Sequence, residues 1–193
     1  IYRAEDNIKS AIICYREALV YRPNYSGAIY NIAICYQELG DFSLAIKGYK
    51  RSLLINPIFP DSLNNLGNSL KESGNIKKAI RSYELSIDQD NMHAESNWNL
   101  SLALLLKGNY QQGLKKYEWR FAANKSKPHA KPNSPKWEGD NLDSTEPLLI
   151  ISEQGLGDTL LFMRYVLHLR RNGLDITFSA QEALHDLIKE SGI

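Results

Sequence analysis

The sequence predicts a mainly α-helical protein: a solenoid of stacked helix hairpins followed by a partial βαβ Rossmann-like unit. Three observations lead there. One residue pattern recurs at a spacing of 34 residues. The pattern stops in a proline-bearing stretch from Ala122 to Pro147. A short apolar run, a glycine-bearing turn and an amphipathic segment then follow. A fixed period of this length marks an architecture of stacked supersecondary units, none of which buries its apolar face alone.

The repeat is carried by residue series one period apart. Ala11, Ala45, Ala79 and Gly113 form one; Tyr15, Tyr49, Tyr83 and Tyr117 another; Ile12, Ile46, Ile80 and Leu114 a third. Asn31, Asn65 and Asn99 recur in the three complete copies, as do Gly40, Gly74 and Gly108, each followed by Asp41, Asn75 or Asn109. Within one copy, Ile32, Ala33 and Tyr36 share one helical face, and Ala45, Tyr49 and Ser52 share another, so each copy is two amphipathic helices. Gly40 falls where the first helix needs a left-handed terminal residue, which glycine adopts without a Cβ penalty, and Asp41 can start the turn into the next helix. The small residue at Ala45, Ala79 or Gly113 lets paired helices approach closely. Pro57 stops the second helix.

This pattern closely resembles the tetratricopeptide repeat (TPR) family. On that pattern the array spans 1–121, with the end of one repeat at 1–25 and successive repeats at 26–59, 60–93 and 94–127. An array lacking half a repeat exposes core at that end, so residues upstream of Ile1 are expected in the natural protein. The resemblance implies a right-handed superhelix whose concave wall is built from the first helix of each repeat, and a protein or peptide partner held there. Asn31, Asn65 and Asn99 are placed on that wall, with Tyr30, Asn64 and Trp98 beside them. An amide side chain both donates and accepts, so a row of asparagines can pair with the backbone of an extended peptide; the row resembles the asparagine ladder of the O-linked N-acetylglucosamine transferase repeats. The same residues can instead hydrogen-bond across helices and nothing more. Trp98 faces either the groove or a following domain, and Leu102, Leu105 and Leu106 give its helix an apolar surface that is expected to dock on that domain.

Composition narrows the classes. In 193 residues, 43% are apolar and the net charge is +1, with no overall electrostatic pull toward nucleic acid or an anionic membrane. The Lys115 to Phe121 cluster is accounted for by the repeat and interrupted by Glu118. The longest apolar run, near Leu102 to Leu106, falls far short of the roughly 20 residues that span a bilayer, and a cytoplasmic protein is expected. Cys14 and Cys35 sit in no metal-binding or disulfide spacing, so no metal is predicted.

Residues 122–147 read as a linker, with Trp137 expected to plug into one of the domains. From 148 to 193 the class changes. Leu148 to Ser152 is a buried parallel strand by pattern, Thr159 to Arg171 an amphipathic helix, Asp175 to Ser179 a second strand, and Ala183 to Glu190 begins another helix. Such a unit puts its first turn at the carboxyl end of the sheet, where ligands bind. The turn, Glu153 to Asp158, lacks both the third glycine of a dinucleotide fingerprint and the Lys-Ser/Thr of a phosphate-binding loop. Taken alone, Asp158 would cap a helix starting at Thr159.

The runs "PKWEGDNL" and "LLIISEQGLGDTLLFMRYVLHLRRNG" resemble the junction of bacterial TPR proteins that carry a GT-B glycosyltransferase domain akin to heptosyltransferases. That resemblance implies Asp158 as the base that deprotonates an acceptor hydroxyl, Gly155 and Gly157 shaping the acceptor side, and a nucleotide-sugar donor in a longer protein. A GT-B enzyme holds its donor chiefly on a second Rossmann-like domain, so this chain, with no cofactor of its own, is expected to be a catalytically silent fragment. The other reading is a non-enzymatic TPR scaffold for protein–protein interaction.

Overall fold

A computed structural model describes residues 5–125, 130, 132–137, 146–153 and 155–191. They divide into two units, 1–123 and 124–193.

In the first unit α1 (Glu5–Tyr21) is followed by three hairpins: α2 (Ser26–Glu38) with α3 (Phe42–Ile55), α4 (Pro60–Glu72) with α5 (Ile76–Gln89), and α6 (Ala94–Leu106) with α7 (Tyr110–Tyr117). A short α8 (Trp119–Ala122) closes the unit. From α1 to α7 each helix packs on the next in chain order, and α8 packs on α6. The turns form as the residue types require. Gly40, Gly74 and Gly108 have φ of +77, +78 and +86°, where an L side chain would be strained. Asp41 accepts from the Leu44 amide at 3.0 Å and Asn109 from the Gln112 amide at 3.4 Å, capping α3 and α7. Asn75, in the same register, makes no such bond.

The core runs through the hairpins along the repeated small and aromatic positions. Ala33, Ala45, Tyr49, Ala79, Tyr83 and Ala103 are fully enclosed. Close approach is demanded at several points: a Cβ on Gly48 would lie 2.7 Å from that of Ala33, and one on Gly113 2.7 Å from Leu105 Cδ2. Buried hydroxyls repeat as well. Ser52 Oγ donates to the Ser26 carbonyl at 3.2 Å, and Ser86 Oγ, one period on, to the Pro60 carbonyl at 2.9 Å. Both tie the end of a second helix to the start of its own first helix, satisfying groups that burial would otherwise penalise.

The two ends of the array depart from this regularity. Ala11 and Tyr15, at the register of Ala45 and Tyr49, are only half-buried, because no first helix among the described residues packs where α2 packs on Ala45 and Tyr49. In the last hairpin the second helix is eight residues rather than the fourteen of α3 and α5. It breaks at Glu118, where Arg120 folds back and donates to the Tyr117 carbonyl at 3.1 Å and the Glu118 carboxylate at 2.7 Å.

In the second unit β1 (Leu148–Ile151) leads through α9 (Leu156–Phe162) and α10 (Arg164–Arg171) to β2 (Ile176–Ser179), a 3₁₀ turn (Glu182–Leu184) and α11 (His185–Glu190). The strands are parallel, Leu148 opposite Ile176 and Ile151 opposite Ser179. Ala180, Leu184 and Ile188 are buried against Leu160, Met163 and Phe178. The strand, helix and strand order is that of the expected βαβ unit, but a sheet of two strands among the described residues does not by itself make the unit Rossmann-like. The helix expected from Thr159 begins at Leu156 and is interrupted at Met163, so Gly155, not Asp158, occupies the N-cap position. Trp137, expected to be plugged into a domain, is 42% exposed.

Candidate functional site

The first helices of the hairpins bring most of the expected groove residues together by a bond that itself repeats. Asn65 Nδ2 donates to Tyr30 Oη at 2.9 Å, and Asn99 Nδ2 donates to Asn64 Oδ1 at 2.9 Å. Each bond reaches back 35 residues, to the helix of the preceding hairpin. Asn64 Nδ2 lies 3.4 Å from Asn65 Oδ1 and closes the series. The result is a polar thread, Asn99 to Asn64 to Asn65 to Tyr30, across α6, α4 and α2.

The thread sorts the predicted residues. Asn64 is 6% exposed and acts as a buried link. Asn65 and Asn99 are half-buried, each using one of two amide N–H groups within the array, and no internal donor to Asn99 Oδ1 is present among the described residues. Asn31 makes no hydrogen bond among the described residues; the position 35 residues earlier precedes Ile1. Trp98 stands apart from the thread and packs its ring on Tyr117 at 4.9 Å and 56°.

Several residues not anticipated from the repeat surround this thread. Tyr30 stacks obliquely on Phe59 at 4.7 Å, and its hydroxyl is pushed above the ordinary tyrosine range by burial first and then by the Asp61 carboxylate. Asp61 in turn accepts from His93 Nε2 at 3.1 Å, while His93 Nδ1 accepts from the Ser96 amide at 3.1 Å and so caps α6. That pair of contacts sets the neutral tautomer with its proton on Nε2. Behind them, Tyr49 Oη donates to Gln37 Oε1 at 2.9 Å and Tyr83 Oη to Asn68 Oδ1 at 2.8 Å. The period-34 tyrosine series signals these last anchors, whereas no local motif signals the His93–Asp61 contact.

In the second unit Asp158 sits in the first turn of α9, exposed, with no capping bond from its side chain. Gly155 has φ −62°, and a Cβ there would meet only Asp158 Oδ2, at 3.8 Å; Gly157 has open space around it. Neither glycine is required by the packing of the described residues around it. Gln154, within the same turn, lies outside the described residues.

Residues 26–59 and 60–91 match the family model described as tetratricopeptide repeat. The chain therefore carries tetratricopeptide repeats over those two hairpins. A crystal structure of MamA protein is 20% identical, with a TM-score of 0.54 over 66% of this chain and 70% of that one. A structure described as "MamA RS-1 ArsTM double mutant" is 15% identical, with a TM-score of 0.56 over 62% of this chain and 67% of that one. The TPR domain of Sgt2 from Aspergillus fumigatus is 25% identical over 52% of this chain and 66% of that one, with a TM-score of 0.49. At these identities the likeness to MamA is one of fold. No curated protein matches the chain in sequence. None of these matches relates the chain to a glycosyltransferase. No helix among the described residues is long and apolar enough to cross a membrane.

Proposed function

We propose that the helical unit is a protein-binding module that holds an extended peptide along α2, α4 and α6. The observation that carries this reading is the partly used row of amides: among the described residues Asn31 makes no hydrogen bond, Asn65 has one spare N–H, and Asn99 has one spare N–H and a spare carbonyl oxygen. Amides presented one repeat apart suit the alternating N–H and C=O groups of an extended backbone, and ask little of its side chains. Peptides selected against the protein by phage display provide the probe. Asn31→Ala should weaken their binding about tenfold, the effect of one lost hydrogen bond with its partner left unpaired. Unchanged affinity in Asn31→Ala would leave the row a purely structural device.

The finer reading, that this module serves a bacterial GT-B glycosyltransferase, rests on the resemblance of the chain from Pro135 onward to the heptosyltransferase-like junction. The strand-turn-helix order around Asp158 supports it. In that enzyme the Asp158 carboxylate would take the proton of an acceptor hydroxyl as its oxygen bonds to the anomeric carbon of the donor sugar, while the bond to the nucleotide breaks and the nucleotide leaves with its electrons. Sugar transfer by the natural protein should disappear in Asp158→Ala; retained turnover removes Asp158 from the chemistry.

A further inference from the structure

The net charge of +1 conceals a division between the two kinds of helix. The first helices α2, α4 and α6 carry one cation, Lys71, against four carboxylates, whereas the second helices α3, α5 and α7 carry eight cations against two carboxylates, Glu84 and Asp88. The excess is organised by the repeat. Lys47, Arg81 and Lys115 stand one period apart, each two residues after the small core position of Ala45, Ala79 or Gly113. Two residues is about 200° around a helix, so the three side chains leave from the side opposite the core. All three are exposed.

These cations are not consumed within the unit. Lys47, Lys50 and Lys115 form no ion pair or hydrogen bond among the described residues, and Arg81 has only a loose 3.6 Å contact with Glu84, at the exposed surface. Apolar side chains accompany them at helical neighbour spacing. Leu54 lies four residues after Lys50 and Leu85 four after Arg81; Leu54 is 84% exposed.

We propose that the outer faces of α3, α5 and α7 form a docking surface for an acidic amphipathic segment of a partner protein. It is separate from the amide row, on the other helix of each hairpin and of opposite charge. Charge complementarity selects the occupant's carboxylates, and the leucines select its apolar stripe. A duplex would set phosphates against those leucines. A bilayer would call for a basic plane, whereas these cations follow a line, one per repeat.

The test is fluorescence anisotropy with a labelled synthetic helix of glutamate and leucine in amphipathic order, beside a lysine–leucine counterpart, phosphatidylserine-containing vesicles and duplex DNA. The acidic peptide should bind, more tightly at low salt. Its affinity should fall at least about tenfold when Lys47, Arg81 and Lys115 are together changed to Glu, and by a smaller factor when they are changed to Gln. Circular dichroism checks that both variants remain helical, and Asn31→Ala should leave this binding unchanged. The proposal is overturned if the acidic peptide does not bind, if it binds both variants as it binds the parent, or if vesicles or duplex are preferred to it.

Discussion

Gly67 lies on α4 where the ring of Tyr83 crosses it, and replacing it by alanine sets two effects against each other. Alanine is the better helix former by about 1 kcal/mol in a helix interior. Its Cβ, however, would sit 2.4 Å from Tyr83 Cε1, 2.7 Å from Cδ1 and 2.9 Å from Cζ. To restore ordinary contact the ring must retreat by about 1 Å, into a core packed at near-crystalline density. Tyr83 is fully buried, and its hydroxyl is held by Asn68 Oδ1 at 2.8 Å, so it has nowhere to slide without straining that bond. Overpacking costs roughly 1–3 kcal/mol and a compromised hydrogen bond about 1 kcal/mol. Net destabilisation of about 1–3 kcal/mol follows once the propensity gain is subtracted. In urea, followed by far-ultraviolet circular dichroism, the midpoint should fall by about 0.5–1.5 M at a typical slope. The same change made beside Tyr83→Leu should lose most of its cost, since the obstructing ring is gone. A midpoint that holds or rises in Gly67→Ala, or an undiminished cost in the double variant, would refute the steric account.

Two further predictions concern the same core and its polar edge. Tyr49 and Tyr83 are held neutral, their hydroxyls pushed far above the ordinary tyrosine range chiefly by burial. Above pH 10 the unfolded chain therefore releases protons that the folded chain retains, and stability falls as pH rises, by about 1.4 kcal/mol per unit for each tyrosine. Urea midpoints measured between pH 9 and pH 11.5, about the onset of unfolded tyrosine ionisation, should decline, and less steeply in Tyr83→Phe; a flat profile would contradict this. His93→Ala removes both the cap on α6 and the contact with Asp61, and should cost about 1–2 kcal/mol. His93→Asn should recover the capping share, and a variant no more stable than His93→Ala would deny the cap any contribution.

The sequence by itself determined the hairpins, because each depends on contacts within or just beyond one period. A glycine with positive φ ends each first helix, a polar residue opens the second, and small residues lie where helices cross, all readable as series 34 residues apart. Tertiary structure decided what those equivalent residues do. Asn31, Asn65 and Asn99 are identical in register, yet among the described residues Asn65 and Asn99 are tied to the preceding hairpin and Asn31 makes no such bond, since a hydrogen bond needs the neighbour and not the motif. Tyr15 and Tyr49 likewise differ in burial only through what packs upon them. His93 and Asp61 are 32 residues apart and belong to no shared local pattern, so only the stacking of α6 on α4 brings them to 3.1 Å. In the second unit the order of strand and helix was legible from apolar runs and breakers. The start of α9 at Leu156 was not, because Gly155, in an extended conformation with φ −62° and ψ 160°, takes the N-cap place that a carboxylate three residues later had suggested. The residue pattern specifies which segments form, while partnership and exposure are properties of the neighbours that stacking supplies.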